Sequence, residues 1–154
     1  MMTWEKCIAE KTIRNVQPDK ELSRNILKMA IIREEFWQAQ INNIDEKYTS
    51  LLVEGYYEII KELLTAYLNL NGIESSNHEC LIRYFEKEHK KLAVESQKID
   101  ELRQVRNNID YKGFFVKTEF FERNKLEYAH IIKLLKKLIK EDLEKKWTKQ
   151  QYFW

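Results

Sequence analysis

Two arginines, a pair of amides and a tyrosine crowd one short stretch of this chain. Leu102-Arg103-Gln104-Val105-Arg106-Asn107-Asn108-Ile109-Asp110-Tyr111-Lys112-Gly113 reads as the end of an amphipathic helix that stops at a glycine. Ile99, Leu102, Val105 or Arg106, and Ile109 form its inward stripe. Arg103, Arg106, Asn108 and Lys112 carry the donor groups that phosphate oxygens accept, so they are the candidate nucleic-acid contacts. A purely structural arrangement uses the same residues. In it, Arg106 pairs with Asp110 one turn on, Asn107 and Asn108 help end the helix, and Tyr111 packs on Phe114. Arg106 and Tyr111 stand about 140° apart on an ideal helix. They share a face only if the helix ends between them, an ending that Gly113 favours.

The elements that must position this stretch read as helices. One Pro and three Gly in 154 residues leave few breakers, and a chain 44% hydrophobic and 34% charged has the composition of a folded, well-solvated domain rather than a disordered one. The length fits a single domain, 1–154, with enough chain for a core without metals or disulfides. Residues 1–17 are a loose arm or a short helix, 18–147 a helical bundle, and 148–154 an aromatic tail that folds back or packs on another subunit.

Pro18 and Asp19 mark the start of a helix in which Leu22, Ile26, Met29, Ile32 or Arg33, and Phe36 recur toward Ile44. A second helix spans 45–70 with Leu52, Tyr56, Ile59, Ile60, Leu63, Leu64 and Tyr67 inward, and Gly55 marks a close helix approach. Asn71-Gly72 stops it. Residues 74–77 are the clearest loop, with Asn77 as N-cap of a third helix running from His78 to about Val94. A fourth covers 96–111. Asn124 and Glu127 form a capping box for the last helix, in which Ile131, Ile132, Leu135, Leu138, Ile139 and Leu143 are buried. Five such helices joined by short connections predict an all-α antiparallel bundle.

The words Leu102-Arg103-x-x-Arg106-Asn107-x-Ile109-x-Tyr111-x-Gly113, set in this order of helices, resemble the HEPN superfamily, particularly its small prokaryotic members. The helix pattern covers roughly residues 19–143, and the specific part is confined to about a dozen residues. The resemblance implies a HEPN-like, four- to five-helix up-and-down bundle that dimerises across this segment. It also implies a place in a toxin–antitoxin or defence-type module with a nucleotidyltransferase antitoxin as partner, RNA as target, and metal-independent endoribonuclease chemistry. Active members place a His after the Arg-polar pair to take the ribose 2′-hydroxyl proton, while the Arg stabilises charge on the phosphate. The resemblance makes Arg106, Asn107 and Tyr111 the candidate catalytic set, with Tyr111 where the His would stand. A phenol with a reference pKa near 10 is a poor base at neutral pH, so the motif is degenerate. The alternative is a non-catalytic helical dimer that serves as a protein-interaction module.

Arg83 to His89 and Arg123 to His130 match the same spacing by count alone. His89 sits in a charged run, expected to be a solvated helix face, and His130 could face the dimer or bundle interior. His78-x-Cys80 fits no zinc framework, and there is no Gly-rich phosphate loop, so no metal or cofactor is expected. Lys133, Lys136, Lys137 and Lys140 line one face of the last helix. Residues 117–149 carry ten Lys or Arg against six Asp or Glu, a stripe that either tracks an RNA backbone or is a solvated face. The net charge of +2 leaves any nucleic-acid role to such local patches. Cys7 and Cys80 make no close pair, and the expectation is reduced thiols in a cytoplasmic protein with no membrane span.

Overall fold

The computed structural model describes residues 2–145. Thr3 accepts a hydrogen bond from the Lys6 amide and opens α1, Trp4–Ala9. Strand β1, Ile13–Asn15, follows. Asp19 accepts from the Leu22 amide at 3.0 Å and starts α2, Lys20–Gln40, as the acidic residue after Pro18 leads one to expect. A 3-10 turn at Glu46–Tyr48, capped by Asp45, leads into α3, Thr49–Leu70. Gly72, at φ 78°, turns the chain into β2, Ile73–Ser75. Asn77 then accepts from the amides of Glu79 and Cys80 and caps α4, His78–Glu88. After a second 3-10 turn at Lys90–Leu92 come α5, Ala93–Lys112, and α6, Thr118–Glu144.

The all-α expectation therefore holds apart from one ribbon. Strands β1 and β2 pair antiparallel, with Arg14 opposite Glu74 and a 2.8 Å ion pair between them. The ribbon occupies part of the N-terminal arm and part of what reads as the clearest loop. Three-residue strands are too short to show a period.

Several helix boundaries also differ, α3 starting at Thr49 and not at residue 45, and α5 at Ala93 and not at residue 96. Helix α2 ends at Gln40, short of Ile44. Helix α4 ends at Glu88 because His89 leaves helical geometry (φ −130°, ψ 68°) and places Nε2 2.8 Å from the Tyr67 hydroxyl; it is a half-buried, bonded residue and not part of a solvated face. Helix α6 starts six residues before Asn124. That residue is only 9% exposed, donates to the Phe120 carbonyl and accepts from Lys98, so it braces a helix interior instead of capping an end. Trp147, Tyr152, Phe153 and Trp154 lie outside the described residues. Among the described residues no helix is long and apolar enough to cross a membrane.

Helix α3 is the centre, packed against α2, α4, α5 and α6. The whole expected stripe from Leu52 to Tyr67 is buried, widened by Val53, Tyr57, Ala66 and Leu68 on its flanks. Ile131, Ile132, Leu135 and Ile139 of α6 complete the core, and Tyr56, Phe121 and Tyr128 stack in tilted contacts between α3 and α6. The α2 face is the main correction to the expected core. Leu22 (45%), Met29 (46%), Ile32 (56%) and Phe36 (56%) are exposed, while Ser23, Leu27, Ala30 and Glu34 turn inward. Glu34 reaches Lys136 of α6, which takes that lysine out of the expected basic stripe and leaves Lys133, Lys137 and Lys140 exposed. Gly55 is where α2 comes closest, since a Cβ there would overlap the Trp37 indole.

Cys7 of α1 and Cys80 of α4 are fully buried and joined as a disulfide, contrary to the expectation of reduced thiols. The cytoplasmic expectation loses the support those thiols gave it. The bond closes the long loop that contains α2 and α3, and Trp4 against Tyr84, with centroids 5.4 Å apart, packs beside it.

Two stability measurements check this packing. Gly55→Ala should cost about 1–3 kcal/mol by overpacking, more than the up to ~1 kcal/mol that alanine returns in helix propensity, so its denaturation midpoint should fall. Cys7→Ser/Cys80→Ser should lose about 2–4 kcal/mol in urea unfolding, and dithiothreitol should destabilise the unaltered protein while leaving the double variant unchanged.

Candidate functional site

Helix α5 continues to Lys112, so it does not end between Arg106 and Tyr111. Gly113 takes the left-handed conformation (φ 63°, ψ 31°), and the amides of Gly113 and Phe114 both donate to the Asn108 carbonyl. The backbone of Asn108 terminates the helix. The side chains of Asn107 and Asn108 make no hydrogen bond among the described residues.

The expected site residues consequently separate around the helix. With about 100° per residue, Arg103, Arg106 and Asp110 lie on the flank facing α3 and α4. Asn107 and Tyr111 lie on the outer crest, and Asn108 and Lys112 on the opposite flank. Tyr111 is 79% exposed and has no ring contact with Phe114 among the described residues. Arg106, Asn107 and Tyr111 thus do not converge within one chain.

Arg106 donates from Nε to Asp110 Oδ2 at 3.0 Å, the pairing open to residues one turn apart, and its guanidinium carbon stands 5.7 Å from the Tyr57 ring centroid. Arg103 is held more firmly. Its Nε donates to Asp100 at 3.1 Å and its Nη2 to Glu79 at 3.2 Å, tying α5 to the first turn of α4. Asp100 also takes Arg83 at 3.3 Å and Gln104 at 3.0 Å. Arg103 and Arg83 are therefore scaffold cations, whereas Arg106 has a single partly exposed carboxylate on it.

Behind Arg106 stands a residue that linear spacing could not reveal. Tyr57, buried in α3, places its hydroxyl 3.3 Å from Nδ1 of His78, the first residue of α4. Burial and the nearby charges of Lys61, Arg106 and Arg103 push His78 below the ordinary histidine range, against a smaller opposing effect of Glu58. It is a neutral imidazole at pH 7. Burial pushes the Tyr57 phenol up to about 12, with Arg103 and Arg106 working the other way. The sequence places His78 far from Arg106, and only the packing of α4 and α5 on α3 brings the two together. The other histidines do not join them. His89 is bonded to Tyr67, and His130 is exposed with Nε2 3.6 Å from Glu95, so it faces neither the core nor Arg106.

A groove of about 650 Å³ runs beside this cluster between α2 and α3. Ile32, Phe36 and Leu51 give it apolar walls, and Glu54, Arg106 and Asp110 a polar end. Burial raises the Glu54 carboxyl above its ordinary value, and the hydrogen bond and charge of Asp110 add to this while Arg106 opposes it. A separate groove of about 790 Å³ lies on the opposite flank of α5, lined by Asn108, Phe114, Phe115 and Arg123 among others.

No family model, no curated protein and no solved structure matches this chain.

The folded state holds the Glu54 proton more tightly than the unfolded state does, so its contribution is present at low pH and lost as pH rises through the raised value. Ionised Glu54 thus works against the fold at neutral pH. Glu54→Gln should raise stability at pH 7.5 by up to ~1 kcal/mol, and thermal melts should show the gain vanishing below about pH 4.

Proposed function

We propose that this chain is a HEPN-like, RNA-directed protein of a toxin–antitoxin or defence-type module, acting as a homodimer with a nucleotidyltransferase as its protein partner. The observation that carries this reading is Tyr57, which holds His78 on its hydroxyl and has the Arg106 guanidinium over its ring, with Arg106 also lining the neighbouring apolar groove. Exposed apolar walls beside a charged group suit a subunit interface whose polar rim forms a cleft.

In such a cleft a phosphate would compete with Asp110 for Arg106, whose guanidinium offers further N–H donors. The imidazole supplies what the Tyr111 position lacks. With Nδ1–H donating to the Tyr57 oxygen, Nε2 keeps its lone pair and can take the proton of a ribose 2′-hydroxyl. The 2′-oxygen then bonds to phosphorus, the bond to the 5′-oxygen breaks, and solvent protonates the leaving oxygen. Arg106 stabilises the charge on the phosphate oxygens.

Cleavage of single-stranded RNA in EDTA is the test. Arg106→Ala and His78→Ala should each slow it by about 100-fold or more, whereas Tyr111→Phe should leave it unchanged. Loss of activity in Tyr111→Phe but not in His78→Ala would overturn the role given to His78. An unaltered protein that binds RNA without cutting it would remove the chemistry and leave recognition.

A second reading, a non-catalytic helical interaction module, is favoured by the exposed row Leu22, Met29, Ile32 and Phe36 on α2. In that case Phe36→Glu abolishes self-association in sedimentation velocity while Arg106→Ala changes nothing measurable.

A further inference from the structure

Beyond Gly113 the chain exposes aromatic rings where a connector would ordinarily be polar. Phe114 is 56% and Phe115 80% exposed, and Tyr111 stands one helical turn before them. The rings are not held out by a loose loop. Val116 is buried, and its amide donates to Ser50 Oγ at 2.8 Å, which pins the connector to the start of α3 and fixes the direction in which Phe115 projects. Among the described residues these three exposed rings have no ring partner, and leaving them in water costs hydration free energy.

Cations are interleaved with them. Lys112, Lys117 and Arg123 are exposed, and among the described residues none of the three has a carboxylate partner. This contrasts with Arg83, Arg103, Arg106 and Lys136, each of which does. The groove between Phe114, Phe115 and α5 also contains the unbonded amide of Asn108 and one carboxylate, Glu119. Rings for base faces, free cations for phosphates and an amide for a base edge are the components of single-strand recognition. The concave, amide-bearing groove favours a nucleic-acid strand over a lipid surface, which would be met by a protruding apolar tip without such a donor.

We infer that Phe114, Phe115, Lys117 and Arg123 around the Asn108 groove, with Tyr111 and Lys112 beside it at the end of α5, form a stacking platform for single-stranded RNA that runs from the outer crest of α5 to the flank opposite Arg106. The inference rests on the RNA-directed reading above and assigns the strand a place to lie outside the Arg106 groove. A duplex, whose bases are already stacked on each other, is a poor ligand for it.

The test is fluorescence anisotropy with a short fluorescein-labelled oligouridylate and with the duplex it forms with oligoadenylate. Phe114→Ala/Phe115→Ala removes only exposed side chains, and its fold is checked by circular dichroism. It should weaken single-strand binding about tenfold or more while changing duplex binding little. Lys112→Gln/Lys117→Gln/Arg123→Gln should flatten the salt dependence of binding. Equal single-strand affinity of Phe114→Ala/Phe115→Ala and the unaltered protein overturns the platform. If Arg106→Ala then fails to bind, the RNA-directed reading survives without it. If the phenylalanine variant loses binding but no cleavage is seen in any protein, the platform stands and the ribonuclease chemistry falls. Co-sedimentation with phosphatidylcholine–phosphatidylserine vesicles that depends on Phe114 and Phe115, with RNA binding unaffected, assigns the rings to a membrane surface and overturns the inference. No RNA binding by the unaltered protein overturns both.

Discussion

A helix that is apolar over most of its circumference cannot lie at a surface, and α3 is such a helix, with a narrow strip of Glu54, Glu58, Lys61, Glu62 and Thr65 left partly open. Its neighbours are placed by the need to cover it. Helix α6 covers the side of Tyr56, Ile60 and Leu63, helices α4 and α5 the side of Tyr57 and Tyr67, and α2 the side of Gly55. The tyrosines matter because a buried phenol still needs a partner for its hydroxyl. Tyr57 finds His78 and Tyr67 finds His89, so enclosure of the core helix also fixes two histidines at the edge of the bundle. The site beside Arg106 is in this sense an outcrop of the core.

The electrostatics around α5 divide the cations by task. Asp100 gathers Arg83, Arg103 and Gln104, so the middle of the helix is locked to α4 by groups that shed little of their burial cost unless all stay together. Near the end of the helix the pairing thins, among the described residues, to one carboxylate on Arg106 and none on Lys112. Charge available to a ligand thus increases along the helix toward Gly113, where the backbone turns away.

Elements with one strong period were legible in the sequence. The α3 stripe, the caps at Asp19 and Asn77, the close approach at Gly55 and the Arg106–Asp110 pair all follow from local spacing. The inward face of α2 was not legible, because the helix offers apolar residues on two faces. The inward one is chosen by what fits against α3, and the small side chains of Ser23 and Ala30 fit where the larger Met29 and Phe36 do not. The Asn124–Glu127 words form a plausible cap in isolation, but Phe121, one face with Tyr128, gains more by continuing the helix into the core. The ribbon, the disulfide and His78 all depend on segments distant in sequence, and no local pattern records them.

The bond between Cys7 and Cys80 makes the chain from α1 to α4 a closed covalent ring, with both α2 and α3 inside it. A single backbone cut in the turn between those two helices would open the ring without dividing the molecule. The piece bearing α1 and α2 would stay tethered to the piece bearing α3 to α6, and the apolar row of α2 would remain beside the Arg106 groove. A protease acting on that turn would leave one species under oxidising conditions and two after reduction.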